Sequence, residues 1–520
     1  MRIIRPLAGA IALALGVAAT GSAQAATLHF RLGEDPETLY NIATISQTAG
    51  DIINSYMLES LVYFDADGKP QPWLATGWDI SADQTTITFK LRSGIVFQDG
   101  TLFNAAAVAA TYGAILDPAN ASPQLANMGS LSKVESVDDM TVRFTYKTPF
   151  APAFNAIAGI GINSPTAVAK YGKDYGRHPV GTGPFAFKEW IPGTSITLER
   201  NPSYHAQFRS DVANKGAPYA DEVVLTVIAE EGVAQSALET GELTAAGLQA
   251  DAITQFASNP QFKTIINKSN GNLVFLEFNQ FKAPFGDAAF RKALGYAIDR
   301  KAAVDAAWGG YGAPALSLLS VAIPYYDAKV AETYGTPYDP AKARELLAAD
   351  GWTDSDGDGT LDKGGQKAEF VIRSYSGFTH IDRTLQVVQS NFADIGIKVS
   401  LETSDWGAFY PSLLEDGWDM DLMRWTDSDA DVLTQLFASP GHRKKLVPNP
   451  AIDDTLKRCS ATLEPAARAA CVSEAQKALL EDMTAIPILT SWGVTATQAN
   501  VSGYHFDYLG YLLSADIKAE

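Results

Sequence analysis

Two cysteines, six histidines and seven methionines in 520 residues leave little material for soft-metal or redox chemistry. The histidines, at 29, 178, 205, 380, 442 and 505, are scattered, with no HExxH and no pair at metal-ligand spacing, and two cysteines cannot build a zinc ribbon. GxSxG and GxxxxGK[ST] are both missing, and an even pair of cysteines leaves no single thiol for nucleophilic work. Positive charge is short: 40 Lys+Arg stand against 59 Asp+Glu, a formal charge of -19, which argues against nucleic acid or anionic lipid as a partner. Beyond residue 25 no apolar run approaches the roughly 18 residues of a membrane helix. Long low-complexity linkers and fixed-period repeats are lacking too. What remains, 46% hydrophobic and 19% charged, is an ordinary globular composition, long enough for roughly two to four domains.

The first 25 residues read as an export signal. Arg2 and Arg5 form a basic start, residues 7–19 a short apolar run, and Ala23-Gln24-Ala25 a small-x-small cleavage site, so the mature chain is expected to begin near Ala26. Export favours pairing of Cys459 with Cys471, which flank a turn near Pro465 between two expected helices; reduced buried thiols are the alternative. TTITFKLRSGIVF alternates like a strand, with Ile87, Phe89 and Leu91 on one face. The later half reads as strand 368–375, helix 381–395, strand 397–403, a short helix, and strand 419–425, an alternation that predicts βαβ crossovers and a largely parallel sheet.

RWTDSDAD (424–431) therefore starts at the carboxyl end of a strand, where open α/β sheets receive ligands. Three aspartates on one strand face would repel, so the stretch is either a polar loop capping the helix VLTQLF, with Asp429 or Asp431 as N-cap, or a pocket wall. In the second case Trp425 offers a flat apolar surface and Asp427 a carboxylate for an ammonium or hydroxyl. Arg424, Tyr375 and Trp406 complete the candidate ligand set. Arg443, in the basic loop GHRKK (441–445), could pair bidentately with a ligand carboxylate or phosphate, or simply face solvent. PVGTGPF (179–185) reads as a turn rather than a phosphate cradle, because no Lys follows its glycines and Pro184 lacks an amide. DSDGDGTLD (354–362) places Asp354, Asp356 and Asp358 like the start of a calcium loop, but position twelve is Gly365, so a solvated acidic turn is preferred. A hydrolase working through paired carboxylates such as Asp427 and Asp429 is the rival reading.

Five blocks, in order, carry a resemblance: LVYFDADGKPQPWLATGWDISADQTTITFKLRSGIVFQDGTLFNAAAV (61–108), VGTGPFAFKEWIPGTSITLERNPSYH (180–205), FNQFKAPFGDAAFRKALGYAIDRKAAV (278–304), YDPAKARELLAADGW (338–352), and NPAIDDTLKRC with AQKALLEDMTAIPIL (449–489). Together they resemble the extracellular solute-binding proteins of family 5, the peptide, nickel and opine receptors of ABC importers. The resemblance implies an α/β, type II, two-lobed flytrap: lobe I from 26–66, 181–270 and 485–520, an inserted small domain at 67–180, and lobe II at 271–484. It further implies a periplasmic monomer that closes by hinge motion, delivers its solute to an inner-membrane permease, and uses no cofactor and no catalysis. In peptide-binding members a Trp followed three places later by Asp holds the peptide ammonium. Here Ser428 is third after Trp425, which leaves Asp427 as the expected substitute and the solute open among peptide, opine, sugar derivative and metal chelate.

Overall fold

Ile87, Phe89 and Leu91 do share a buried face, at 2%, 0% and 6% exposure, on the strand Thr86–Leu91. This strand pairs with Ala75–Ile80 and Thr141–Tyr146, and Leu131–Asp138 completes a four-stranded antiparallel sheet beneath the helix Ala105–Leu116. A computed structural model describes residues 26–204, 208–268, 271–376, 378–439 and 445–519; the expected leader and Arg443 lie outside them.

Two larger sheets organise the rest. The first has seven strands in the order Phe262–Asn267, Gly493–Gln498, Ala245–Gly247, Thr27–Leu32, Glu222–Val227, Ser195–Arg200, Phe185–Ile191. Alternate residues Leu28, Phe30 and Leu32 of its central strand are buried, as period-two patterning requires. The chain's early and final segments meet in this lobe: the Ser55 hydroxyl accepts from the Leu512 amide at 3.1 Å, and its carbonyl accepts from the Ser514 hydroxyl at 2.6 Å.

The second sheet has six strands in the order Gly312–Pro314, Ile486–Ser491, Leu273–Phe278, Met420–Trp425, Glu369–Tyr375, Lys398–Ser404. The expected crossovers are present, with Glu369–Tyr375 parallel to Lys398–Ser404 and to Met420–Trp425, joined through helices Thr379–Asp394 and Trp406–Ser412. The sheet as a whole is mixed rather than largely parallel, because Leu273–Phe278 runs antiparallel to both its neighbours. That strand is buried along its whole length, so its run LVFLEF carries none of the alternation that would have announced it.

The chain leaves the first sheet after Asn267, enters the second at Leu273 and returns at Trp492, where Lys268 Nζ sits 4.4 Å from the centre of the Trp492 ring. The strand Ile486–Ser491 pairs with Leu273–Phe278, so 485–491 belong with the second sheet, and the border drawn at 485 from the sequence falls too early. The architecture is a two-lobed α/β fold with a small sheet set into the first lobe.

The Cys459–Cys471 disulfide is formed, joining the helix Pro450–Ser460 to Pro465–Asp482, and the short loop it closes is worth about 3 kcal/mol on the chain-entropy account. Gly181 and Gly183 press against Met57, where added Cβ atoms would come within 2.3 Å and 2.6 Å of its backbone. Their amides bond Gln98 Oε1 and the Met57 carbonyl, both at 2.9 Å, which is a packed turn and no anion cradle.

Candidate functional site

The strand Met420–Trp425 ends at the edge of the second sheet that faces the first lobe, and the three aspartates that follow it part company. Asp427 Oδ1 accepts from the amides of Ser428 and Asp429 at 2.7 and 3.0 Å, a tight local turn that ends the strand. Asp429 is gripped bidentately by Arg468, at 2.5 and 3.0 Å, both side chains being largely buried. Asp431 stands at the N-cap position of Val432–Phe437 but bonds the Ser460 hydroxyl instead of a helix amide, while Asp429 Oδ1 receives the Asp431 amide at 2.8 Å. The strand-face repulsion feared from the sequence is thus resolved by three separate partner sets.

Among the described residues, only Asp427 of the three turns toward the space between the lobes without a cation. A cavity of about 330 Å³ lies between residues 426–429, the segment 41–54 of the first lobe and residues 150–160 of the insert. Amides dominate its wall, among them Asn41, Asn54, Gln124 and Asn155. Crowding by protein atoms pushes the Asp427 carboxyl up to about 7, with the Asp429 and Asp431 charges adding to the effect and its two amide bonds opposing it.

A larger cavity of about 970 Å³ continues from the first, sharing Gln47 and Asp51 with it. Arg31, Glu34 and residues 229–252 form one wall; Phe378, His380, Arg383 and Arg424 form the other. Arg424 Nη1 lies 3.4 Å from His380 Nε2, and its guanidinium sits 5.3 Å over the Phe378 ring. Burial, reinforced by Arg424, depresses the His380 imidazole to about 3, so it stays neutral. Among the described residues Arg424 has no carboxylate partner, whereas Arg383 is paired bidentately with Asp251 across the lobes at 2.8 and 2.6 Å. Asp51 reaches water at the junction of the cavities, and crowding followed by the Asp507 charge pushes its carboxyl to about 7.

The two lobes also touch at the opposite margin, where Asn155 Nδ2 donates to Ser428 Oγ at 2.9 Å and the Ala151 amide donates to the Ser460 carbonyl at 2.7 Å. Gly271, on the first crossing, is pressed against the same loop; an added Cβ would fall 2.0 Å from the Asp427 carbonyl oxygen.

Of the residues singled out from sequence, Asp427 and Arg424 face the two cavities. Trp425 packs, partly buried, against the second-lobe core, on the strand face opposite Arg424. Tyr375 is buried in an aromatic cluster, 5.3 Å edge-on from Trp406 and 5.6 Å from Phe378, and Trp406 is half exposed. Asp354, Asp356 and Asp358 cluster on the surface, but Lys367 pairs with the latter two and the amides of Gly357 and Gly359 bond Asp354 at 2.8 and 3.0 Å. Sequence reasoning missed Asp51, Gln47 and His380. The one signal for Asp51 was a lone carboxylate within TAGDIINSYM, whose apolar residues recur at helical spacing.

The profile described as "Bacterial extracellular solute-binding proteins, family 5 Middle" matches residues 69–445. The glutathione-binding protein GsiB of Shigella flexneri is 30% identical over 478 residues, covering 88% of each chain. Among solved structures, NikA from Brucella suis in complex with Fe(III)-EDTA superposes with a TM-score of 0.83 at 22% identity, over 95% of this chain and all of that one. The oligopeptide-binding protein AppA from Bacillus subtilis, in complex with a nonapeptide, does so with 0.80 at 23%, over 95% and 99%.

Proposed function

The chain belongs to the bacterial extracellular solute-binding proteins of family 5, and from that premise we propose that its cleft captures a small zwitterionic, peptide-like solute. The protein is the solute-binding receptor of an ABC importer and not an enzyme. The observation that carries the finer reading is a pair of opposite charges on adjoining cavities that have no counter-ion among the described residues: Asp427 on one, Arg424 on the other. An ammonium meets Asp427, which also completes the ionisation of that crowded carboxyl, and a carboxylate meets the Arg424 fork. The amide-rich wall serves peptide groups between them. That a 30% identical relative is named for glutathione supports a peptide-like solute over a sugar or a chelate.

On this reading the leader at 1–25 sends the chain to the periplasm, the lobes swing about the two crossings to enclose the solute, and a membrane permease receives it. The paired-carboxylate hydrolase is disfavoured because Asp429 is locked by Arg468 and cannot share work with Asp427. The test is a thermal-shift and calorimetric screen of glutathione, di- and tripeptides, opines, sugars and metal chelates. A peptide-like zwitterion should raise Tm and bind, with Asp427→Asn and Arg424→Ala each weakening it at least tenfold. Binding only of uncharged sugars, or full affinity in both variants, would reject the reading.

A further inference from the structure

The first lobe holds a recess that this pairing of charges does not use. A chamber of about 280 Å³ opens between the strand Thr27–Leu32, the helix Gln47–Ile52 and residues 504–512. Its walls are aromatic: Phe30 lies 6.4 Å from Tyr56 and 6.1 Å, edge-on, from Tyr504, which is 5.6 Å from Phe506. Whole small-molecule sites run to about 300–1,000 Å³, so this volume suits one arm of a solute. Arg31, Gly33, Thr48 and Asp51 line both the chamber and the larger cavity, which makes it a side room entered from the cleft.

Asp51 stands in that entrance. Among the described residues it has no hydrogen bond and no ion pair, while the phenols of Tyr56, Tyr504 and Tyr511 all feel its charge. The nearby cation is already committed: Arg31 donates to the Ile228 and Ala229 carbonyls at 2.7 and 2.8 Å and lies 3.9 Å from Glu231. Glu34 accepts the Thr48 hydroxyl at 3.0 Å, and Asp507 is held by Arg209 at 3.2 Å. The entrance therefore carries carboxylate in excess over cation. At Gly247, another wall residue, an added Cβ would meet nothing within 4 Å, so the chamber has open space on that side.

We propose that this chamber is a specificity subsite for a basic group on an apolar stem, an alkylguanidinium or alkylammonium arm of the captured solute. Asp51 is its counter-ion, and Phe30, Tyr56 and Tyr504 flank the stem. Ring faces attract cations, and the Asp51 carboxylate, without a partner among the described residues, attracts one as well. An acidic arm is repelled, and a neutral arm leaves Asp51 uncompensated. The proposal rests on the cleft-capture reading but not on the roles of Asp427 and Arg424.

The test uses fragments on the full mature chain: n-butylguanidinium, and 1-pentanol as a neutral probe of similar reach, followed by NMR titration. The guanidinium should bind at least tenfold more tightly than the alcohol. Read at the amides that line the chamber, Asp51→Asn should erase that preference, and Gly247→Ile should close the chamber to both probes. Equal binding of the two probes, no guanidinium binding, or full preference in Asp51→Asn would overturn the proposal. Among the described residues the Asp51 carboxylate holds no other side chain, and an unchanged Tm checks each variant. A chain that takes the fragment yet binds no whole zwitterion rejects the capture reading and leaves the subsite standing; the converse rejects the subsite alone.

Discussion

Arg383 and Asp251 form, among the described residues, the one ion pair that joins the two lobes, and removing it should open the cleft by a measurable amount. The geometry is favourable, since both guanidinium nitrogens reach both carboxylate oxygens at 2.8 and 2.6 Å. Its environment limits its strength: Arg383 is 32% exposed and Asp251 74%, so water and salt screen the pair. Exposed pairs contribute about 0.2–1 kcal/mol, and bidentate geometry argues for the upper half of that range. About 0.5–1 kcal/mol shifts the closed-to-open ratio roughly two- to fivefold. Arg383→Ala should then raise the Kd of a cleft-bound solute by that factor, mainly through faster release, and should enlarge the radius of gyration seen by solution scattering. The effect should shrink as salt rises from about 0.05 to 0.5 M. A double-mutant cycle with Asp251→Ala isolates the pair. Single-variant effects that simply add, or a Kd indifferent to Arg383→Ala at low salt, would refute the latch.

Three further outcomes follow from the loop and its supports. Gly271→Ala places a methyl 2.0 Å from the Asp427 carbonyl, so it should cost about 1–3 kcal/mol in urea unfolding and weaken solute binding; unchanged stability would contradict the packing. Arg468→Met strands the largely buried Asp429 without its partner and should cost about 3–5 kcal/mol, whereas a loss under 1 kcal/mol would show the pair to be solvated. The Asp427 carboxyl, ordinarily near 3.8 but held near 7 in the folded chain, makes the native state bind more protons than the unfolded one between those values. Its contribution to stability is therefore complete below pH 4 and is lost as pH rises through 7. Capture of an ammonium runs the other way, strengthening from pH 5 to 8 by up to about tenfold per unit below 7, and the slope should flatten in Asp51→Asn/Asp427→Asn; an affinity flat over that range in the unaltered chain would defeat the assignment.

Much of the second lobe was legible in the sequence because its elements declare themselves locally. The strands around 369–375 and 420–425 are bounded runs, and the helix Thr379–Asp394 between them shows apolar residues at helical spacing. The antiparallel neighbour Leu273–Phe278 did not declare its direction, since a strand buried on both faces has no period to read. Within the site, Asp427 was legible from its place after a strand. What the sequence does not show at once is that Trp425 and Arg424, as neighbours on one strand, point to opposite faces of the sheet. Asp51 and His380 were invisible for another reason: each is an ordinary residue locally, and its surroundings come from elements distant in sequence, residues 504–511 for Asp51 and Trp308 and Arg424 for His380.

The contact between Lys268 and Trp492 sets one indole where the chain passes between the two sheets, with a cation resting on its ring. Any rotation of one body against the other must stretch, shear or break that stack, and a tryptophan's emission responds to a charge at such range. The molecule thus contains an indole placed to report any such rotation without an attached dye.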